Sequence, residues 1–245
     1  HAQGINFETD NWESVKAKAK ASGMPIFVDV YATWCEPCKW MDNNSFAEEK
    51  VGTFFEENYV SYKLNIEEKE GLDFEKKYKV TSYPTMLYFD SEGELVHRII
   101  GAYSGADLIA KSKAALLPEN QIYTLKKEFE KEKGNLAFLR KYADALKRVG
   151  EEYMYIADIY IDLIGKEALV EEEHFGVLEH CVNDYNHMAY RYVVANKAAF
   201  ILNLGNDRVD SYLDAAFNIR CYKMIDNGSK QEVIRTFLQE VKSIL

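Results

Sequence analysis

Hydrophobic residues change their period once along this chain, near residue 117. Before that point helix-spaced stretches alternate with strand-like runs; beyond it only the helical period persists. Trp12, Val15 and Ala19 lie three and four residues apart behind Asp10 or Asn11, which predicts a capped helix over 10–22, stopped by Gly23-Met24-Pro25. Ile26-Phe27-Val28-Asp29-Val30-Tyr31 reads as a buried strand. A helix is predicted from about Glu36 to Lys50, with Pro37 in its first turn, where a missing N–H does no harm. From Tyr59 to Ile66 the alternation sets Val60, Tyr62, Leu64 and Ile66 on one face of a strand. A short helix near 69–78 follows, then a strand Thr85 to Phe89, a turn Ser91-Glu92-Gly93-Glu94, its partner strand Leu95 to Ile100, and a helix from about Ser104 to Leu116. This order implies an α/β fold, a central mixed sheet with helices on both faces.

After Leu117-Pro118-Glu119-Asn120 the strand signals cease. Amphipathic helices are predicted at about 121–132, 135–148, 151–164, 167–181, 184–203, 207–226 and 229–243, punctuated by Gly134, Gly150, Gly165, Gly205 and Gly228. Such spacing predicts antiparallel helix hairpins, with an architectural likeness to tetratricopeptide-type helical repeats but no repeat consensus. The chain is therefore read as two domains, 1–117 and an all-helical 118–245.

Composition narrows the function. With 245 residues and 47% hydrophobic content, packed cores are within reach. The net charge of −10 is shared by both halves, and no basic stripe argues for nucleic acid as a partner. No apolar stretch approaches the roughly 20 residues that span a bilayer. Four cysteines are too few for a disulfide scaffold. The chain begins His1-Ala2-Gln3-Gly4, which is either the edge of a longer chain or the tail of a removed secretory signal, whose cleavage site favours small residues such as Ala2. Export, to the periplasm or another extracytoplasmic compartment, is the expectation.

The chemistry concentrates in Trp34-Cys35-Glu36-Pro37-Cys38-Lys39, directly after the first strand. Two cysteines separated by two residues, where a strand ends and a helix opens, suit thiol–disulfide exchange. Half a zinc site is the other reading, but zinc takes four ligands, and Cys181 and Cys221 are neither closely paired nor set in matching motifs. No Gly-rich nucleotide- or flavin-binding loop is present, so no cofactor beyond the cysteine pair is expected, and an external electron donor is required. Cys181 and Cys221 either pair across two helices or, the favoured outcome, stay free and buried. His180, Asp184 and His187 would share one face of an unbroken helix as a metal site, against an exposed polar face or a break at Asn183-Asp184, which is the expectation.

Phe27 to Lys39 resembles the active-site stretch of the thioredoxin family. Tyr62-Lys63-Leu64-Asn65-Ile66 resembles its central strand, and Val80-Thr81-Ser82-Tyr83-Pro84-Thr85 its cis-proline loop. The three stretches keep the family's order and spacing. The resemblance covers about residues 5–117, implies a thioredoxin fold there, and says nothing about 118–245. It implies Cys35 as the attacking thiol at a helix N-terminus, where N–H groups and the helix dipole favour a thiolate. Cys38, one turn in and less exposed, would resolve the mixed disulfide. Asp29 resembles the buried aspartate that exchanges a proton with the second cysteine through water, and burial should raise its pKa; a strand-end cap is its plainer reading. Lys63 matches the lysine beside that aspartate. Pro84 resembles the cis-proline that faces the cysteines, and Tyr83 would offer its backbone to an extended substrate peptide. Trp34 is expected to pack beside the disulfide and shield it; Trp40 and Met41 either extend that collar or belong to the core. Glu36 departs from the glycine common in thioredoxins, and its charge opposes a thiolate next door while Lys39 pulls the other way. Cys-Glu-Pro-Cys also occurs in extracytoplasmic thioredoxin-like reductases of cytochrome c maturation, although the spacing here is closer to plain thioredoxin and to the periplasmic terminal domain of the disulfide-reductase relay. Together with Pro37, the residues Trp34, Glu36, Tyr83 and Pro84 form the expected substrate-binding set.

The resulting expectation is an exported thiol–disulfide oxidoreductase that reduces protein disulfides through Cys35 and Cys38, with Asp29 handling protons. Its partners would be protein disulfide substrates, an electron donor, and a client or second copy held by the helical half. Two alternatives stand beside it: the helical half as a binding module with the first domain as a docking or redox-sensing attachment, and an oxidase or isomerase direction.

Overall fold

A computed structural model describes residues 4–226 and 231–242. The start at His1-Ala2-Gln3 and the turn at Gly228 lie outside the described residues, as do the ends of the helix expected over 229–243. The chain divides into two compact units, His1–Glu130 with Arg148–Gly150, and Lys131–Lys147 with Glu151–Leu245.

The first unit begins with α1 (Trp12–Ser22), capped by Asn11, whose side chain accepts the Ser14 N–H, and ended by Gly23 at φ 70°. Its buried residues are Trp12, Val15 and Ala19, the helix-spaced set of the sequence. Next come β1 (Ile26–Tyr31), α2 (Glu36–Asn43), α3 (Glu49–Asn58), β2 (Val60–Asn65), α4 (Lys69–Tyr78), β3 (Thr85–Phe89), β4 (Leu95–Ile100) and α5 (Gly105–Ala115). The sheet runs β2-β1-β3-β4, with β1 and β2 parallel and the other two pairs antiparallel. This is the thioredoxin fold. Because side chains alternate across a strand, β1 serves two cores. Ile26, Val28 and Val30 join Trp12, Leu64, Phe74 and Phe89 on one face, and Phe27 joins Met41, Phe55, Met86 and Tyr88 on the other. Asp29 stands between Lys63 and Met86 in the strand register.

One expected element is wrong here. The helix read from Glu36 to Lys50 is two helices, interrupted at 44–48. Asn44 leaves helical geometry at φ −120° and ψ −78°. The side-chain amides of Asn43 and Asn44 bond back to the carbonyls of Lys39 and Trp40, and the Ser45 hydroxyl donates to the Tyr103 carbonyl at 2.5 Å. Short polar side chains that compete for backbone partners end the helix there.

The helix α6 (Ile122–Glu132) spans the division between the units. The second unit contains only helices among its described residues: α7 (Leu136–Arg148, its last residue grouped with the first unit), α8 (Met154–Ile164), α9 (Glu172–Cys181), α10 (Met188–Ala195), α11 (Lys197–Leu204), α12 (Asn206–Asp226) and α13 (Gln231–Lys242). Its core is built on Leu139, Tyr142, Tyr160, Phe175, Leu178, Phe200 and Leu213. Two expected helices are again divided. The stretch 167–181 starts as a 3-10 segment, Lys166–Val170, and 184–203 becomes α10 and α11, broken at Asn196. The break between α9 and α10 separates His180 from His187, so the three-residue metal arrangement does not form. His180 faces Asp144 at 3.6 Å and His187 faces Asp158 at 3.1 Å. Among the described residues, no group of three or more His, Cys, Asp or Glu could hold a metal, and no helix is long and apolar enough to cross a membrane. Cys181 and Cys221 are both free; Cys181 is buried, but Cys221 is only partly so.

Candidate active site

The site forms where β1 ends and α2 begins. The Cys35 backbone is extended (φ −80°, ψ 103°), which makes it the N-cap of α2, and its Sγ accepts the N–H of Cys38 at 3.2 Å. Pro37 lies in the first turn, where the absent N–H has no helical partner to lose. Cys35 and Cys38 are joined as a disulfide, with their Cα atoms 5.3 Å apart. In this oxidised state their exposures are nearly equal, 3% and 2%, so the difference expected between them is absent.

The loop before Cys35 is fixed from two sides. The Cys35 N–H donates to the Ala32 carbonyl at 3.1 Å, and the Thr33 N–H donates to Glu67 Oε2 at 2.6 Å. Hydrogen bonding to the Thr33 side chain, and then to its N–H, holds the Glu67 carboxyl below its usual range. Glu67 escaped sequence reasoning because a carboxylate just after a strand carries no signal of the loop it will hold.

Asp29 is 1% exposed, its Oδ1 has no hydrogen-bond partner, and burial pushes its carboxyl up to about 7. Lys63 opposes the shift from 3.8 Å and Asp42 reinforces it. The ammonium of Lys63 is itself in contact with Asp42 and lies 4.5 Å from the ring of Tyr31. Asp42 is the second residue missed. It falls four residues after Cys38, on the same helical face, but its link to Lys63 depends on packing between α2 and β2.

The opposite wall is the loop before β3. The Tyr83–Pro84 peptide is cis, Pro84 is buried and Tyr83 is half-buried. The hydroxyl of Tyr83 donates to Glu75 on α4, and its ring meets Trp34 edge-on at 5.8 Å. Trp34 is 62% exposed, so it does not shield the disulfide by burial; it stands in solvent, supported by Tyr83. Trp40 is also exposed, whereas Met41 belongs to the core. Glu36 points outward and pairs with Lys39 at 2.6 Å, so the two charges next to Cys35 largely offset one another.

Residues 12–116 match the family model of the thioredoxin-like domain. The thiol:disulfide interchange protein DsbD of Campylobacter jejuni is 30% identical over 113 residues, which make up 45% of this chain and 19% of that protein. A thioredoxin-like protein of Synechocystis sp. is 33% identical over 88 residues, covering 36% of this chain and 78% of that one. Among solved structures, a candidate disulphide-isomerase from Bacteroides thetaiotaomicron is 34% identical, covering 47% of this chain and 96% of that chain, with a TM-score of 0.44. The chain thus spans about a fifth of the DsbD relative and most of the Synechocystis and Bacteroides ones. Through its first half, this chain belongs to the thioredoxin-like family.

Proposed function

We propose that the protein is an exported thiol–disulfide oxidoreductase that reduces protein disulfides. The observation that carries this reading is the sulfur of Cys35 at the N-cap of α2, bonded to Cys38 and receiving its N–H. Once the pair is reduced, the same N–H and the helix terminus stabilise a thiolate on Cys35. That thiolate attacks one sulfur of a substrate disulfide, forming a mixed disulfide and releasing one substrate thiolate. The Cys38 thiol gives its proton to the Asp29 carboxylate, and its sulfur then attacks Cys35 Sγ. This restores the Cys35–Cys38 bond and releases the second substrate thiolate, so two electrons leave the protein. An external dithiol donor returns them. A carboxyl titrating near 7 is suited to both accepting and releasing this proton at neutral pH.

Substrate binding is assigned to Trp34, Glu36, Pro37, Tyr83 and Pro84, which lie on the loop before Cys35, the first turn of α2 and the loop before β3. Lys63 supports Asp29. The DsbD relative's name, a thiol:disulfide interchange protein, favours the same chemistry. Residues 118–245 are proposed to hold a client protein or a second copy. In support, α7 and α9 border a cavity of about 320 Å³ lined by Arg140, Val177, His180 and Cys181. Insulin reduction with a dithiol donor tests the whole reading: Cys35→Ser abolishes turnover if exchange is the function. Full activity in that variant would leave the helical half as the working part.

A further inference from the structure

Trp34 precedes Cys35 and is mostly exposed, so burial does not fix where its ring points. Its backbone is fixed instead by the end of the sheet. The parallel register of β1 and β2 closes at Tyr31 and Asn65, and the Ile66 N–H donates to the Tyr31 carbonyl at 3.0 Å. Two residues beyond Tyr31 and Asn65, the Thr33 N–H donates to Glu67 Oε2 at 2.6 Å, so a side chain prolongs the ladder up to the residue before Trp34. The Glu67 N–H donates in turn to Asn65 Oδ1 at 3.1 Å.

The ring has a different support. It meets Tyr83 edge-on with centroids 5.8 Å apart, a favourable aromatic geometry. The Tyr83 hydroxyl donates to Glu75 Oε1. Burial, followed by this hydrogen bond, pushes the hydroxyl up to about 12, so it stays a donor at neutral pH. Glu75 lies on α4, which is closely held. Tyr78 packs on Phe89 of β3 at 5.1 Å, the Tyr78 carbonyl accepts an N–H of Arg98 at 2.5 Å, and Gly71 meets the end of β2. The contacts Trp34–Tyr83–Glu75 therefore run from the exposed rim of the redox site to a packed helix. Tryptophan and tyrosine carry much of the affinity of protein interfaces, and a side chain already set in its bound orientation loses less freedom on binding. A protein substrate covers both rings, whereas a disulfide of a few atoms can meet Cys35 while covering little of either.

We infer that Glu75 is a positioning residue: by holding the Tyr83 hydroxyl it sets the orientation of Trp34, and so favours protein disulfides over small ones as substrates. This rests on the reductase reading and adds to it the group that tunes affinity for the substrate.

Insulin and glutathione disulfide, compared as substrates of the full chain, test this. Glu75→Ala should raise the KM for insulin about fivefold, the worth of one hydrogen bond, with kcat staying within about twofold. The rate of the reduced protein with glutathione disulfide should also stay within about twofold, while the Trp34 indole N–H signal in the NMR spectrum of the oxidised protein should move. Glu75→Gln keeps an oxygen that accepts the Tyr83 hydroxyl and should restore both KM and signal. Tyr83→Phe breaks the same bond from its other end, so the double variant Tyr83→Phe/Glu75→Ala should show an insulin KM no higher than the worse single variant. An unmoved KM and Trp34 signal in Glu75→Ala, equal losses with both disulfides, or additive effects in the double variant would overturn the inference. Failure of the reductase reading looks different: the unaltered protein would then reduce neither disulfide, and the Trp34 signals of the variants would alone decide whether Glu75 anchors the ring.

Discussion

Lys63 makes direct contact with Asp42, while Asp29 stands 3.8 Å from the same ammonium. One cation is shared between two carboxylates, and the half-exposed one holds it closer. Burial is the main reason the Asp29 carboxyl is raised; the shared Lys63 opposes that shift, and the charge of Asp42 adds a smaller repulsion. Asp42→Asn removes that repulsion and frees Lys63 to approach Asp29. The Asp29 carboxyl should then titrate below its present value of about 7. A carbon-detected NMR titration of the oxidised protein reads this directly; an unchanged or higher midpoint would contradict the shared-cation account.

The same burial makes stability depend on pH. The folded Asp29 carboxyl titrates near 7, above its ordinary 3.8, so the native state binds this proton more tightly than the unfolded chain. Stability from this group is complete below about pH 4 and is lost as pH rises through 7. The difference amounts to on the order of 4 kcal/mol. Asp29→Asn should make the oxidised protein more stable than the unaltered one near pH 8, with the advantage gone near pH 4, while slowing substrate reduction at neutral pH. Urea unfolding at the two pH values measures the first effect and insulin turnover the second. Equal stabilities at both pH values would remove Asp29 from this role.

Glu36 is the exposed charge next to Cys35, and it occupies Lys39 at 2.6 Å. Glu36→Gln deletes a negative charge and releases a positive one, and both changes favour a thiolate. The reduced variant should react with iodoacetamide at lower pH than the unaltered protein. A shift of the reactivity curve to higher pH would count against helix-terminus activation tuned by these side chains.

Gly71, in the first turns of α4, sits against the end of β2. A Cβ there would lie 1.9 Å from the carbonyl oxygen of Asn65 and 2.7 Å from the Cα of Ile66. Alanine is the better helix former by about 1 kcal/mol, but backbone cannot yield as a side chain can, so overpacking decides the sign. Gly71→Ala should lower stability by about 2 kcal/mol in urea unfolding; a stabilised variant would mean that α4 can move away from the sheet at little cost.

Much of this was legible in the chain because local and long-range signals agreed. The strands Thr85–Phe89 and Leu95–Ile100 and the helix over 69–78 have the bounds their patterns predict. Where short polar residues competed for the backbone, as at Asn43-Asn44-Ser45 and at Asn196, the hydrophobic period ran on past a real break. Within the candidate site, Cys35, Cys38 and Pro84 are marked by motif and Asp29 by its place in an apolar strand. Asp42, Glu67 and Glu75 carry no such mark. They act through Lys63, Thr33 and Tyr83, partners that only the packing of helices on the sheet brings within reach. Trp34, expected to pack beside the disulfide as its shield, is 62% exposed and meets Tyr83 edge-on.

The most direct test of the central claim is to trap the mixed disulfide. Cys38→Ser leaves an attacking thiol without its resolving partner, so mass spectrometry after incubation with a disulfide-bonded peptide should find the peptide covalently joined to Cys35. The reduced Cys35→Ser variant should form no comparable adduct. Equal adducts on both variants, or none on Cys38→Ser, would contradict nucleophilic attack by Cys35.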